Sequence, residues 1–418
     1  MTFSNAPSTS NQFSDPVVGV LLSSEAFRQS TRLCLVASEN FASLAVREVV
    51  GSVLVNRAAE GYVGARYFPG CEDIDALESL AIERARELFG AEHVNVQPHS
   101  GSNANLAAYM AVLPFGGKVL AMDLAHGGHF THGSVVNYSG QLYNCMHYGV
   151  RPDTQRIDYD QVRDIAVKER PDVLVAGASS YPRKIDFQAF RSIADEVNAV
   201  FIADMAHYFG LIAGRAYPSP VEYADIVTST TYKVLRGPRG GIILCKRSFA
   251  SAVDRAVFPG VQGGLHANIV AAKAVALGEA SSPQYCEYTR DVVAAARVLA
   301  KALASRGFNV VTGGTDCHLV LVDLSHEDEL TGLEAQRRLE AVGILSNKNL
   351  VPYDLRPPAV TSGLRFGTAA MVTLGLRPTD FEDIAELVVK GVREPGGSHN
   401  AHAVTREVAE LLGSVVKR

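Results

Sequence analysis

The sequence predicts an α/β fold in which a large domain, built on a mainly parallel sheet with helices on both faces, is followed by a smaller C-terminal α+β domain. Three observations carry this reading. Short apolar runs alternate with helix-forming stretches from about residue 75 to residue 245, the signature of parallel strands joined by crossover helices. Beyond about Ala280 that alternation gives way to a long helical stretch and a strand pair. Finally, 418 residues at 47% hydrophobic and 20% charged are enough for two or three cores.

The Ser/Asn/Thr-rich start up to about Asp15 reads as a mobile arm, and Pro16 to Arg32 as a short helix leading into the core. Helical spacing then predicts a helix over Asp75–Phe89, a strand over His93–Gln97, a helix over Ser102–Leu113 and a strand over Lys118–Met122. Further apolar runs at Asp172–Ala176, Ala199–Ala203, Asp225–Thr228 and Gly241–Cys245 read as strands of the same sheet, with helical stretches between several of them. The smaller domain begins with a helix at Tyr288–Ser305 and strands at Asn309–Val311 and Leu319–Leu324. Helices at Thr331–Val342, Asp380–Val392 and Val404–Leu412 complete it. The chain accordingly divides into an N-terminal arm and helix (1–60), a large domain (61–285) and a small domain (286–418).

A net charge of -5 and a pI near 6.2 leave no basic stripe for nucleic acid or anionic lipid. Small molecules and further copies of the chain are the expected partners. Six cysteines lie far apart with no C-x-x-C pair, as in reduced cytoplasmic proteins. The first twenty residues lack a basic region followed by an apolar one, and no apolar run approaches eighteen residues. Neither a signal peptide nor a membrane span is expected.

Four places carry chemistry. Lys233 follows a strand end and precedes a Gly/Pro loop; it suits a lysine held against a cofactor, although a solvated loop lysine would look the same in isolation. Asp204 ends the run Ala199–Ala203, so it should emerge at the carboxyl edge of the sheet, where such folds bind ligands. There it can cap the next helix or pair with a protonated ring nitrogen and make that ring an electron sink; His207 can reach the same ring. The run His99–Asn105 opens a helix with small residues, offering backbone N–H groups and the dipole's positive end to a phosphate, or simply a Ser cap. Asp123–His132 has three histidines, but no cysteine or carboxylate arrangement completes a metal site, so no metal is expected and an imidazole stacked on an aromatic ring fits better.

These segments resemble serine hydroxymethyltransferases. The likeness runs through Leu35-Val-Ala-Ser-Glu-Asn40, Glu60-Gly-Tyr-Val-Gly-Ala-Arg-Tyr67, Asn95-Val-Gln-Pro-His-Ser-Gly-Ser102 and Asp123-Leu-Ala-His-Gly-Gly-His129. It continues through Asp204-Met-Ala-His207, Thr230-Thr-Tyr-Lys-Val-Leu-Arg-Gly-Pro-Arg-Gly240, Phe258-Pro-Gly-Val-Gln-Gly-Gly264 and Ser362-Gly-Leu-Arg-Phe-Gly-Thr368. The resemblance implies a pyridoxal 5'-phosphate (PLP)-dependent, aminotransferase-like (fold type I) large domain with a mainly parallel seven-stranded sheet. It implies Lys233 as the Schiff-base lysine, Asp204 as partner of the pyridine nitrogen, His207 near the phenolic oxygen and His129 stacked on the ring. Ser100, Gly101 and Ser102 would cradle the phosphate, with Gly264 also in the cofactor set. Arg365 would grip the substrate carboxylate, while Ser38 and Thr230 line the substrate and cofactor pocket. Glu60 resembles the acid/base glutamate serving serine and folate, and Tyr67, Leu124, Gly128 and Asn349 match positions lining the tetrahydrofolate site. The resemblance further implies a homodimer or dimer of dimers whose subunits share active sites, with residues 1–60 contributing to the dimer.

Several positions depart from the family pattern: Ala58 and Phe68 stand where it has tyrosine, Tyr232 where it has histidine, and Gly263-Gly-Leu-His-Ala-Asn268 where it has Gly-Gly-Pro-Leu-Met-His. The expected activity is PLP-dependent hydroxymethyl transfer on serine/glycine or an α-substituted serine such as 2-methylserine, with tetrahydrofolate as carrier. A folate-independent threonine aldolase or transaldolase, and a catalytically silent PLP-binding homologue, are the alternatives.

Overall fold

The computed structural model describes residues 15–327, 330–393 and 399–416; the arm expected before Asp15 lies outside them. Seven strands form the main sheet: β1 (His93–Asn95), β2 (Lys118–Met122), β3 (Asn144–Tyr148), β4 (Val173–Gly177), β5 (Val200–Asp204), β6 (Ile226–Thr230) and β7 (Gly241–Cys245). Their order is β1-β7-β6-β5-β4-β2-β3. Every pairing is parallel except those of β7, which runs antiparallel to both β1 and β6. β4, β6 and β7 are buried along their whole length, as expected of strands covered on both faces. Side chains alternate between two cores. Leu120, Leu174, Phe201 and Ile242 join one, and Val119, Val173, Ile202 and Ile243 the other.

The principal helices are α1 (Pro16–Thr31), α2 (Glu72–Phe89), α3 (Gly101–Val112), α4 (Ala267–Ala280), α5 (Pro283–Ser305), α6 (Gly332–Ala341), α7 (Phe381–Arg393) and α8 (His399–Val416). Helix α2 starts three residues before the predicted Asp75, on the acidic turn Glu72, Asp73 and Asp75 that suits a helix N-terminus. Helix α5 starts at Pro283 rather than Tyr288, because Ser282 caps it and proline is well tolerated at the first helical position.

A second, antiparallel sheet contains β8 (Asn309–Val310), β9 (Leu319–Asp323), β10 (Asn347–Asn349) and β11 (Gly363–Gly367), in the order β8-β9-β11-β10. It shares a separate core with α5, α6, α7 and α8, and Leu33 and Leu35 from the N-terminal segment pack into that core. Gly367 N donates to Leu35 O at 2.7 Å, so Ser38 is led to the end of β11. Helix α1 buries none of its residues.

Candidate active site

The chain passes from β2 to its edge neighbour β3 and then returns to place β4 on the other side of β2. At such a switch point the loops beyond the strands diverge and leave a crevice. Here the loop after β2 carries Leu124, Gly128 and His129, and the loop after β4 carries Ser179, whose N–H donates to Gly127 O at 2.8 Å. Asp204 is the last residue of β5, and Lys233 follows the end of β6.

Asp204 is buried, and its carboxylate accepts from Asn105 Nδ2 (2.8 Å), His132 Nε2 (3.1 Å) and Ala206 N (3.0 Å). His132 Nδ1 accepts from the His129 backbone N–H at 3.1 Å, so its proton must sit on Nε2, facing Asp204. Burial pushes the Asp204 carboxyl up, but the hydrogen bonds from His132 and Asn105, helped by the electrostatic pull of the two histidine rings, outweigh it and hold the group well below the usual range. The network extends outward. Asn105 also donates to Thr131 Oγ1 at 2.7 Å, which lies 2.7 Å from His129 Nδ1. Burial holds the half-buried His129 imidazole neutral by pushing its pKa down to about 4, against the pull of Asp204.

The Lys233 amine is buried, and burial pushes its pKa down to about 7, with Asp204 opposing and Arg365 and Arg239 reinforcing the shift. Its loop is pinned in place: the Lys233 carbonyl accepts from Asn40 Nδ2 at 3.0 Å, and the Arg236 guanidinium sits 4.2 Å from the Tyr288 ring centre. Buried His207 is held neutral, its pKa driven well below the ordinary value by burial and by the charges of Lys233 and Arg365.

Ser100 caps α3 through Oγ, which accepts from Asn103 N at 3.1 Å. A Cβ on Gly101 would lie 2.6 Å from Thr230 Cγ2, and one on Gly241 would lie 2.2 Å from Ser100 O. Backbone and strand ends therefore meet at the start of α3, with Ser102 exposed beside them. Arg365, at the centre of β11, donates through Nε to Asn347 Oδ1 (3.0 Å) and through Nη1 to Ser179 O (2.6 Å). Burial lowers its pKa to about 10, which leaves it charged at neutral pH.

Ser38 shares a cavity of about 410 Å³ with Asn40, Tyr232 and Arg239, and the Arg239 guanidinium lies 4.0 Å from the Tyr232 ring centre. Gly128 O accepts from Ser179 Oγ at 2.7 Å, and Asn349 pairs with Gly363 across β10 and β11. Glu60, Tyr67 and Gly264 form a different group. Ala59 O accepts from Leu265 N at 3.1 Å, Tyr67 is 73% exposed, and its ring centre lies 5.7 Å from that of Phe258. Among the described residues, no hydrogen bond or ion pair joins Glu60 to Lys233, Asp204, His129 or Arg365. The contact of His99 Nε2 with Gly264 O (3.1 Å) links this group to the residue before Ser100.

Sequence reasoning missed Asn105, His132, Ser179, Asn347 and His318. Asn105 had a visible signal, as a polar residue one helical turn beyond Gly101 in an Ala-rich helix. Ser179 and Asn347 had none, since each acts only through the long-range packing of Arg365.

The family model described as serine hydroxymethyltransferase matches residues 12–388. The chain belongs to this family. Serine hydroxymethyltransferases are PLP-dependent and have fold type I, in agreement with the seven-stranded, mainly parallel sheet. No helix among the described residues is long and apolar enough to cross a membrane.

Proposed function

We propose that this serine hydroxymethyltransferase family member moves a hydroxymethyl group between a serine-type amino acid and tetrahydrofolate, using PLP held by Lys233. The observation that carries the reading is the meeting of a buried amine, a buried ionised carboxylate and a buried guanidinium: Lys233, Asp204 and Arg365. The start of α3 also fits PLP: among the described residues the Gly101 and Ser102 N–H groups have no hydrogen-bond partner and remain available to a phosphate. When bound, PLP supplies a pyridine ring that draws electrons from a bond at the substrate Cα.

Lys233, about half neutral near pH 7, provides an amine able to form and release a covalent bond. Asp204 stays ionised and offers its oxygen to a protonated ring nitrogen, while neutral His129 presents a flat, uncharged face and His207 a hydrogen bond to the phenolic oxygen. Ser100, Gly101, Ser102 and Thr230 hold the phosphate side. Arg365, aimed by Asn347 and Ser179, offers its remaining N–H groups to the amino-acid carboxylate, with Ser38 beside it.

Glu60, Tyr67 and Gly264 are assigned to the active site of a neighbouring subunit, a reading supported by the absence, among the described residues, of any hydrogen bond or ion pair from Glu60 to Lys233, Asp204, His129 or Arg365, and by the oligomerisation typical of the family. There Glu60 moves the proton of the hydroxymethyl group, and Tyr67 completes the folate site with Leu124, Gly128 and Asn349. Ala58 in place of tyrosine leaves space that suits a serine with an added Cα substituent, such as 2-methylserine. The test compares kcat/KM for serine, 2-methylserine and threonine, each with and without tetrahydrofolate. Turnover of serine or 2-methylserine that depends on tetrahydrofolate supports the reading. Threonine cleavage without folate, and no folate-dependent activity, overturns it.

A further inference from the structure

His318 stands just before β9, fully buried, and its carbonyl accepts from Thr368 N (3.0 Å) and Thr368 Oγ1 (3.3 Å). Its ring is nearly parallel to that of His207, with centres 5.4 Å apart and an interplanar angle of 20°. One nitrogen, Nε2, lies 3.2 Å from Ala37 O and 3.3 Å from His207 Nδ1. The other, Nδ1, is buried and has no hydrogen-bond partner among the described residues.

A carbonyl oxygen can only accept, so the contact with Ala37 requires the His318 proton on Nε2. Nδ1 is then a bare lone pair, the less costly group to leave unmatched. The opposite tautomer buries an unpaired N–H and turns a lone pair toward Ala37 O, leaving two groups unsatisfied. With His318 protonated on Nε2, His207 Nδ1 must accept from that same N–H. A neutral His207 therefore carries its proton on its own Nε2, as a donor. Both rings are neutral at physiological pH, since burial lowers both, His318 to about 3.

We infer that His318 is a positioning residue that fixes the tautomer of His207 and ties the Ala37–Ser38 segment to it. This rests on the proposed role of His207 as hydrogen-bond donor to the phenolic oxygen of PLP. It explains how the substrate-side serine and the cofactor-side histidine, far apart in sequence, are set by one imidazole. Ala37 is held from its other side as well, because a Cβ on Gly367 would lie 2.3 Å from Ala37 Cα.

The test is nitrogen-15 NMR of the full-length, PLP-loaded protein with labelled histidine, the His207 signal being identified by its disappearance in His207→Asn. The native protein should show His207 protonated on Nε2. His318→Phe should lose this single tautomer, whereas His318→Gln, whose amide N–H groups can serve both Ala37 O and His207 Nδ1, should retain it. An Nδ1-protonated His207 in the native protein overturns the inference even if no His318 variant folds. So does an unchanged tautomer in His318→Phe, or equal loss in the Phe and Gln variants. A sample that takes up no PLP refutes the proposed function instead, and the tautomer is still read from that sample.

Discussion

Replacing Gly101 with alanine tests the start of α3 as an anion cradle. The new Cβ would sit 2.6 Å from Thr230 Cγ2, with the next atoms no nearer than 3.9 Å. Carbon atoms prefer about 3.5 Å, so something must give by about 0.9 Å. Thr230 is held by the bond from its Oγ1 to Ala206 O (3.3 Å) and by a fully buried strand. The unloaded protein relieves the strain by displacing the first turn of α3, the turn whose N–H groups would face a phosphate. Binding must then reverse that displacement, at the ~1–3 kcal/mol typical of overpacking, or roughly 5- to 150-fold weaker PLP binding. Titration of PLP by visible absorbance measures this directly. Thr230→Ser removes Cγ2 but keeps Oγ1, so the Gly101→Ala/Thr230→Ser double variant should recover most of the affinity. Native affinity in Gly101→Ala, or a double variant no better than the single, refutes the reasoning.

Asp204→Asn should retain PLP yet lower kcat by roughly 100-fold or more, since a neutral amide cannot keep a ring nitrogen protonated; comparison of bound-PLP absorbance with turnover checks this. Arg365→Ala should raise the amino-acid KM more than Arg365→Lys, and lysine should still be a poor substitute because it lacks the planar fork. Steady-state kinetics of both variants decide the point. The rate at which unloaded protein develops colour with PLP should rise through about pH 7 and level off above it, because burial lowers the Lys233 pKa to about 7 and the neutral amine is the reactive form. A rise only near pH 10 would contradict it. Glu60→Gln should impair folate-dependent turnover more than any folate-independent cleavage of 3-hydroxy amino acids, measured as the ratio of the two rates.

The strands that present Asp204 and Lys233 were legible because β5 and β6 lie in the interior of the sheet, where covering on both faces selects unbroken apolar runs. The edge strand β3 was not, since Asn144-Cys-Met-His-Tyr148 pairs on one side only and can afford polar residues. β11 was missed because an arginine between glycines, Gly363-Leu-Arg-Phe-Gly367, reads as a loop until Ser179 and Asn347 are seen to bind the guanidinium. Helix α4, rich in alanine, has no clean apolar stripe because it is buried on most sides. The neighbours of Asp204 were hidden for another reason. Asn105, His132 and Asp204 lie on three different segments, and single-sequence patterns report only neighbours along the chain.

Arg365 sits between Leu364 and Phe366 of the second core, and Lys233 precedes Val234 of the first; the hydrogen bond from Arg365 Nη1 to Ser179 O is a strut between the two sheets. A small rotation of the second sheet against the first would change the span between the proposed carboxylate anchor and the proposed Schiff-base amine without altering either residue. On the proposed roles, side chains deep in the second core, such as Val320 and Phe366 on β9 and β11, would act on substrate fit as a set screw acts on the opening of a caliper. Selection for amino acids of different size has somewhere to work besides the pocket wall.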